Sequence, residues 1–389
     1  MRKLSIFVSM LFIASALTLV NATASTKQAL LKPHPVVGTY GITWGNIVEK
    51  INDISAAAWT DAQNTLIRNQ KLPGIYKGFV SYISPGALKT DPQIGDAVTL
   101  IKRELVLYAN VPRAKKVYFI ATTQEEQAVT QSKIKKSDPV AFTPLTRSLN
   151  SIYGIEETGG SASGAPWIHP KCEGASGLRN SFSQPTNDHP SIVAAVVTIS
   201  VCPTDANQRL EGIHGAAHEY IHTIQVALHP GGYIKGYQPC WMTEGETEWS
   251  QAVVSNDFDT YLTRTHYAPY YLTQSGKNYR ESTQKVWAPK DVETYLKSAK
   301  NPATCGDTEL YALAYSLGAA TTEALVSIGG SESLFALDMR LSQGQKMNKA
   351  FKDIYGITWD AAIPILSKVV AVKITKAMSE DALTYQTKP

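Results

Sequence analysis

The chain has 389 residues, a formal net charge of +4 and a hydrophobic fraction of 43%. This length and composition suffice for one large core in two lobes or for two small domains. The charge is too small for a nucleic-acid-binding protein, which needs a concentrated basic face. The composition therefore indicates a globular protein whose partners are not nucleic acids.

The N-terminal residues predict export from the cell. Arg2 and Lys3 precede an uncharged apolar run over residues 4–20, and small residues then occupy the −3 and −1 positions of a cleavage site after Ala24. This order is typical of a signal peptide, residues 1–24, whereas a membrane anchor needs a span of about 20 residues. We expect a secreted, extracellular or periplasmic protein, whose charge falls from +4 to +2 when the two cations are removed. No later stretch is apolar enough to span a membrane, so no membrane association is expected after cleavage.

The cysteine count agrees with export. The chain has four cysteines, an even number, and disulfides are the default in an oxidising compartment. Four cysteines allow three connectivities. Nearness along the chain favours pairing Cys172 with Cys202 and Cys240 with Cys305.

The first part of the chain mixes helix and strand. Apolar spacing predicts helices within residues 44–69 and 94–110, and short runs rich in β-branched residues predict strands at 116–122 and 191–200. Residues 158–190 are crowded with Gly, Ser, Asn and Pro and are predicted to be mostly loop.

Nearly everything after residue 205 has helical spacing. The fold class is therefore expected to be α+β. Residues 25–205 form an N-terminal α/β lobe with a mixed sheet in this interpretation, and residues 206–389 form a helical lobe.

The segment HGAAHEYIHTIQ, residues 214–225, holds three of the eight histidines. His218 and His222 are four residues apart, so they share one helix face and can bind one metal ion. Glu219 lies beside them, close enough to take a proton from a zinc-bound water. Two satisfied core histidines are the alternative interpretation. An apolar stripe explains how one side of such a helix packs, namely Leu210, Ile213, Ala217, Ile221, Ile224 and Leu228.

A catalytic zinc ion usually has three protein ligands and one water, so a third ligand is needed. In the string CWMTEGETEWSQAVV, Glu244 and Glu248 are four apart and share a helix face, whereas Glu246 points nearly the opposite way. One carboxylate on the shared face can bind zinc. The other can accept the spare ring N–H of a ligating histidine.

The HExxH string is followed, after 21 intervening residues, by Glu244 within the string WMTEGETEW, and this pattern resembles the gluzincin zinc peptidases. This is the clan of thermolysin and of the zinc aminopeptidases related to leukotriene hydrolase, and the resemblance covers roughly residues 190–360. It implies one zinc ion per chain, with Glu244 as the third ligand and Glu248 against a zinc-bound histidine. It also implies a zincin-like two-lobed catalytic domain with the active-site helix between the lobes.

A third motif belongs to the same resemblance. The string YSLG places Tyr315 and Gly318 in a Tyr-x-x-Gly pattern, whose tyrosine in the aminopeptidase branch donates its O–H to the oxyanion. Tyr311, one helical turn earlier, is the rival donor, and His266 either aids the oxyanion or packs in an aromatic loop. His214 is not needed by an HExxH site and is expected to be structural or to support a ligand.

One string of the aminopeptidase branch, Gly-x-Met-Glu-Asn before HExxH, is missing from residues 193–214. In that branch it captures the free amino terminus of the substrate, so the sequence leaves endopeptidase and aminopeptidase activity both open. The strand over residues 191–200 is expected to be a sheet edge, along which an extended peptide can pair by backbone hydrogen bonds.

Together these patterns predict an exported zinc peptidase that acts on a peptide or protein substrate. Zinc bound by His218, His222 and Glu244 activates a water, Glu219 is the general base and Tyr315 stabilises the oxyanion. A non-catalytic binding protein with the same fold is one alternative, and a zinc hydrolase of cell-wall cross-links is another. The sequence specifies neither the substrate nor the oligomeric state.

Overall fold

The computed structural model describes residues 30–32, 40–152, 177–183, 192–201, 206–229, 238–267, 287–298 and 308–379. The described strands are β1 (Phe79–Ile83), β2 (Lys116–Thr122), β3 (Gly177–Phe182) and β4 (Ala194–Ser200). The described helices are α1 (Ile54–Asn69), α2 (Pro85–Thr90), α3 (Gly95–Leu107), α4 (Gln127–Ser137), α5 (Pro139–Ile152), α6 (Ala206–Leu228), α7 (Cys240–Val253), α8 (Phe258–Tyr267), α9 (Pro289–Ser298), α10 (Thr308–Gly329), α11 (Ser333–Ser342), α12 (Met347–Tyr355) and α13 (Trp359–Ser379).

The four strands form one mixed sheet in the order β1-β2-β4-β3. β1, β2 and β4 are parallel, and β3 runs antiparallel to β4. The strand predicted at 116–122 is confirmed, whereas the prediction that residues 158–190 are mostly loop missed β3.

The prediction that residues 191–200 form a free sheet edge is wrong. β4 lies between β2 and β3 and is hydrogen-bonded on both sides. All seven of its residues are buried, which is the character of an interior strand covered on both faces. Among the described strands, the edge position on this side of the sheet belongs to β3.

Alternation along β2 explains how helices cover both faces of the sheet. Tyr118 and Ile120 face α4 and α5, where they pack in a cluster with Ile134 and Leu145. The intervening side chains of β2, such as Phe119, belong to the larger cluster that includes α3 and α6. A strand with apolar residues on both faces holds a helical layer on each.

Helix α6 is central to this larger cluster. Its predicted apolar stripe is buried at Ile213, Ala217, Ile221, Ile224 and Leu228, and the side chain of Leu210 lies outside the described part. The helix ends at Leu228, next to the His-Pro-Gly-Gly stop in the sequence. Because one side of α6 packs against the core, the histidines that it carries face α7 on another side.

The helices after residue 205 build a second apolar cluster, in which Trp241 of α7 stacks on Trp359 of α13 at 5.1 Å. α1 also contributes to it, through Ile54 and Ala57. The α-helix predicted within residues 44–69 begins only at Ile54. The preceding residues form turns, one of them closed by Asn46 Oδ1 accepting from the backbone N–H of Thr43, and then a short 3₁₀ helix at Ile51–Asp53.

Every described strand precedes residue 201, and helices are the regular elements among the described residues after it. Within the described residues, no helix is both long enough and apolar enough to cross a bilayer. The boundary at residue 205 and the two-lobed zincin-like arrangement stay predictions.

Candidate metal centre

Helix α6 brings two imidazoles together. His218 and His222 lie one turn apart on the same helix face, and their ring centroids are 4.7 Å apart. The two Nε2 atoms approach to 3.1 Å. The i, i+4 spacing read from the sequence thus aims both rings at one point.

Helix α7 supplies a carboxylate at that point. Oε2 of Glu244 lies 3.5 Å from Nε2 of His218 and 3.4 Å from Nε2 of His222. The ligand atoms of the three residues all lie within 4.8 Å of one another, and this buried group could hold a metal ion. Only 7% of Glu244 and 7% of His218 are exposed, so bulk water screens the charges of the group only weakly.

A glycine contact fixes α7 against α10 beside this group. A Cβ on Gly245 would lie 2.1 Å from the carbonyl carbon of Gly318, and a Cβ on Gly318 would lie 2.4 Å from the carbonyl oxygen of Trp241. The two backbones therefore touch where side chains are absent. This contact explains why a glycine follows Glu244 and why another follows Tyr315 by three residues: both helices must approach closely to face the same site.

Each imidazole presents its Nδ1 to an acceptor. Nδ1 of His218 lies 2.8 Å from Oε1 of Glu248, whose other oxygen accepts from Nε2 of Gln251 at 2.7 Å. Nδ1 of His222 lies 2.9 Å from Oε1 of Gln225. Because an acceptor faces each Nδ1, the ring proton of each neutral imidazole sits there. Both Nε2 lone pairs then point toward Glu244.

Thr247 does not supply a proton to this convergence. The hydroxyl of Thr247 lies 3.3 Å from Nε2 of His218, but it donates its single proton to the carbonyl oxygen of Glu244 at 2.6 Å. Oε2 of Glu244 is buried, and its described neighbours at this point are the two Nε2 atoms. Three acceptor atoms thus face one point, and a bound cation would satisfy all three.

The spacing of these three atoms fits a tetrahedral ion. Ligands at about 2.0–2.2 Å from a tetrahedral zinc ion lie about 3.3–3.6 Å from one another. The three observed separations are 3.1, 3.4 and 3.5 Å. Little movement of His218, His222 or Glu244 is therefore needed to accept such an ion.

The electrostatics of the group also favour a cation. Burial lowers the pKa of His218, but the carboxylates of Glu244 and Glu248 outweigh this effect and raise it well above its usual value. Burial likewise lowers the pKa of His222, and Glu244 with Glu219 raises it overall. Burial raises the pKa of Glu244, yet the two imidazoles bring it well below its usual value. The carboxylates thus attract positive charge to this point, whether a proton or a metal ion.

The remaining predicted residues surround the group. Glu219 is partly exposed and acts electrostatically on His222. The ring of Tyr315 stacks on His218, with centroids 5.8 Å apart and an interplanar angle of 12°. The side chains of the rival donors Tyr311 and His266 lie outside the described part of the structure.

His214 is buried and lies outside the three-residue group. Its Nδ1 is 3.2 Å from the backbone carbonyl of Gln251, the residue that also donates to Glu248. This contact links His214 to α7 at Gln251, the residue that holds Glu248 against His218. Cys240 is buried at the start of α7, whereas the other three cysteines lie outside the described residues, so the disulfide pairing stays a prediction.

The sequence interpretation gave no role to three residues around the group. Gln225 contacts His222, Thr247 contacts both His218 and Glu244, and Tyr295 of α9 lies near Glu244, whose charge adds to burial in raising the pKa of that phenol. The spacing of Gln225 from His222, three residues along one helix, was the available signal for that contact. The positions of Thr247 and Tyr295 near the group depend on how separate helices pack, so the sequence contains no signal for them.

Comparison with known proteins adds no relative. No family model matches the chain, and neither the curated proteins nor the solved structures contain a match. The assignment of a function therefore depends on the residues and the geometry of this group.

Proposed function

We propose that the protein is an exported zinc-dependent peptidase of the gluzincin type. The main support for the proposal is the convergence of Nε2 of His218, Nε2 of His222 and Oε2 of Glu244, which lie 3.1–3.5 Å from one another. Glu219 follows the first of these ligands directly in the chain, as a general base in HExxH does.

The donor set favours zinc over other common cations. Magnesium and calcium prefer oxygen ligands, whereas two imidazoles and one carboxylate are typical of catalytic zinc. Ferrous iron accepts the same donors, in an octahedral arrangement with open positions. The separations between the three ligand atoms are close to those around a tetrahedral ion, which supports zinc. Glu219, a carboxylate suited to proton transfer in a hydrolytic reaction, also supports zinc.

A zinc ion in this group would acidify a water molecule and polarise the carbonyl of the scissile bond. Glu219 accepts the proton of the attacking water and passes it to the leaving amine. Tyr315, stacked beside His218, donates its O–H to the oxygen on which charge develops. Glu248 holds His218 through Nδ1 and so orients the ligand.

The sheet offers a place for an extended substrate. Among the described strands β3 lies at the edge next to β4, its only paired neighbour, and it contacts α6. A peptide could add to its outer edge by backbone hydrogen bonds and lie alongside α6. β3 thus replaces residues 191–200 as the proposed edge for an extended peptide substrate.

The test is hydrolysis of an unstructured protein by the mature chain, with and without a zinc chelator, followed by mass mapping of the cut ends. Glu219→Gln keeps the size of the side chain and removes its basicity, so bound zinc should remain while the rate falls by about 10²–10⁴-fold or more. Cleavage that stops with chelator and returns with zinc supports the proposal.

Two results would overturn it. A wild-type protein that binds zinc but cuts no unstructured protein would indicate a binding protein or a narrower hydrolase. Equal rates for Glu219→Gln and wild type would show that another group is the base. Internal cut sites will indicate endopeptidase activity, and stepwise loss of residues from the amino terminus will indicate aminopeptidase activity.

A further inference from the structure

We infer that Gln225 is a positioning residue for His222 and that Glu246 holds Gln225 in the required orientation. The inference rests on the proposed metal centre and extends it to two residues for which the sequence motifs provide no role. Gln225 lies on α6, three residues after His222, and Glu246 lies on α7, two residues after Glu244. Both side chains are essentially fully buried.

Two acceptors on α7 orient the amide of Gln225. Nε2 of Gln225 donates to the carbonyl oxygen of Thr243 at 2.9 Å and to Oε2 of Glu246 at 3.0 Å. These two acceptors use both N–H bonds of the amide. The NH2 group therefore faces α7, and the amide oxygen must face the other way, toward His222.

The orientation of this amide sets the tautomer of His222. Its Nδ1 lies 2.9 Å from Oε1 of Gln225, an atom that only accepts. Nδ1 therefore carries the ring proton, and Nε2 keeps its lone pair for the point where it meets Glu244 and His218. A rotated amide would present N–H groups to Nδ1 and favour the opposite tautomer, which places a proton at the ligating nitrogen.

Burial prevents bulk water from replacing Gln225 or Glu246 in these contacts. Gln225 is 0% exposed and Glu246 is 1% exposed, so bulk water cannot take over either contact. Removing the amide oxygen would leave the Nδ1–H of His222 without this acceptor in a buried site. His218 differs, since a carboxylate contacts its Nδ1 directly.

One helix thus sets both imidazoles. α7 provides Glu248, which contacts His218, and Glu246, which reaches His222 through Gln225. The same helix carries Glu244, the third proposed ligand. The geometry assigns the alternating glutamates 244, 246 and 248 to three tasks in one site, although helical spacing alone sends Glu246 away from the metal.

The experiment measures zinc affinity by competition with a chromophoric chelator, using the full mature chain. Gln225→Met keeps the length of the side chain and removes its hydrogen bonds, so the affinity should fall by about 10–100-fold. Gln238→Met is the matched control, because Gln238 is equally buried, contacts Thr243 and does not touch a proposed ligand. The control should bind zinc within about twofold of wild type, in contrast to the loss expected for a supporting residue.

A second readout separates positioning from a general loss of stability. The visible absorption spectrum of the cobalt-substituted protein reports the ligands, and it should change in Gln225→Met and stay unchanged in Gln238→Met. Glu246→Gln retains an oxygen that can accept from Gln225 and should bind zinc like wild type, whereas Glu246→Met should bind more weakly. This second pair tests the inference even when Gln225→Met does not fold.

The outcomes distinguish the inference from the proposal on which it rests. Wild-type affinity and an unchanged cobalt spectrum in Gln225→Met would overturn the positioning role while leaving the metal centre intact. Equal affinities of Glu246→Met and Glu246→Gln would overturn the part given to Glu246. If wild type itself binds neither zinc nor cobalt, the metal centre is wrong and the inference is overturned with it.

Discussion

Gly318→Ala tests the contact that brings α7 and α10 together. The added Cβ would lie 2.4 Å from the carbonyl oxygen of Trp241 and 2.8 Å from Cα of Gly245. Ordinary contacts of a carbon atom need about 3.5 Å, so the two helices must separate by about 1 Å. The obstacle is backbone on both sides and cannot rotate away.

The expected cost combines two opposing effects. Overpacking a core costs about 1–3 kcal/mol, and a backbone obstacle places this site at the upper end of that range. The better helix propensity of alanine returns about 1 kcal/mol. The free energy of unfolding should therefore fall by about 2 kcal/mol, even though glycine-to-alanine changes within helices are usually stabilising.

The same separation should disturb the metal centre. Glu244 adjoins the contact on α7, and Tyr315 lies one turn before it on α10, so moving the helices apart by about 1 Å displaces both from His218. A displacement of that size can reduce a catalytic rate by about 10²-fold. Zinc affinity should also fall, because one of three ligands no longer reaches the other two.

The assay is denaturant unfolding of zinc-loaded and zinc-free protein together with zinc competition. Gly95→Ala is the matched control, because a Cβ at Gly95 has no heavy atom within 4 Å and its backbone is not left-handed. The control should be neutral or slightly stabilised, with unchanged zinc affinity. If Gly318→Ala matches the control in both measurements, the close approach of α7 and α10 does not hold the site.

Three further predictions follow from the site and its surroundings. Tyr315→Phe should keep zinc and lose about 10²–10³-fold in kcat, whereas Tyr311→Phe should be nearly silent; the reverse result in the same assay would move the oxyanion donor by one turn. Glu248→Gln should weaken zinc binding by up to about 10–100-fold in a chelator competition, and unchanged affinity would exclude a supporting role. Lys373 lies 2.6 Å from the buried Glu323, so Lys373→Met should lower the free energy of unfolding by about 3–5 kcal/mol in denaturant unfolding. Adding Glu323→Leu should recover much of this loss, and a single variant with no loss would contradict a buried ion pair.

The parts of the fold that the sequence predicted are those that local pattern determines. β2 was found because Lys116–Thr122 is a short run of apolar and β-branched residues with no polar interruption. β3 was missed because its residues, GLRNSF, carry Gly, Asn and Ser, which are common in loops. This strand exists through its pairing with β4, and pairing between distant segments leaves no local signal. The error in the sheet edge has the same origin.

The candidate site divides in the same way. The pairing of His218 with His222 follows from one helical repeat, and the two helix faces of α7 separate Glu244 from Glu246. Helical spacing gives the direction of a side chain but not what it meets. The contact of Glu246 with Gln225 depends on how α6 crosses α7, which the spacing within either helix does not determine.

The most direct test of the account is X-ray absorption at the zinc edge, made on mature protein purified without chelators. We predict one zinc ion per chain with two imidazole nitrogens and oxygen ligands at about 2.0–2.2 Å, and loss of the bound metal in His222→Ala. A protein without zinc that takes none up, a sulfur ligand at about 2.3 Å, or a His222→Ala variant that keeps two imidazoles would contradict it.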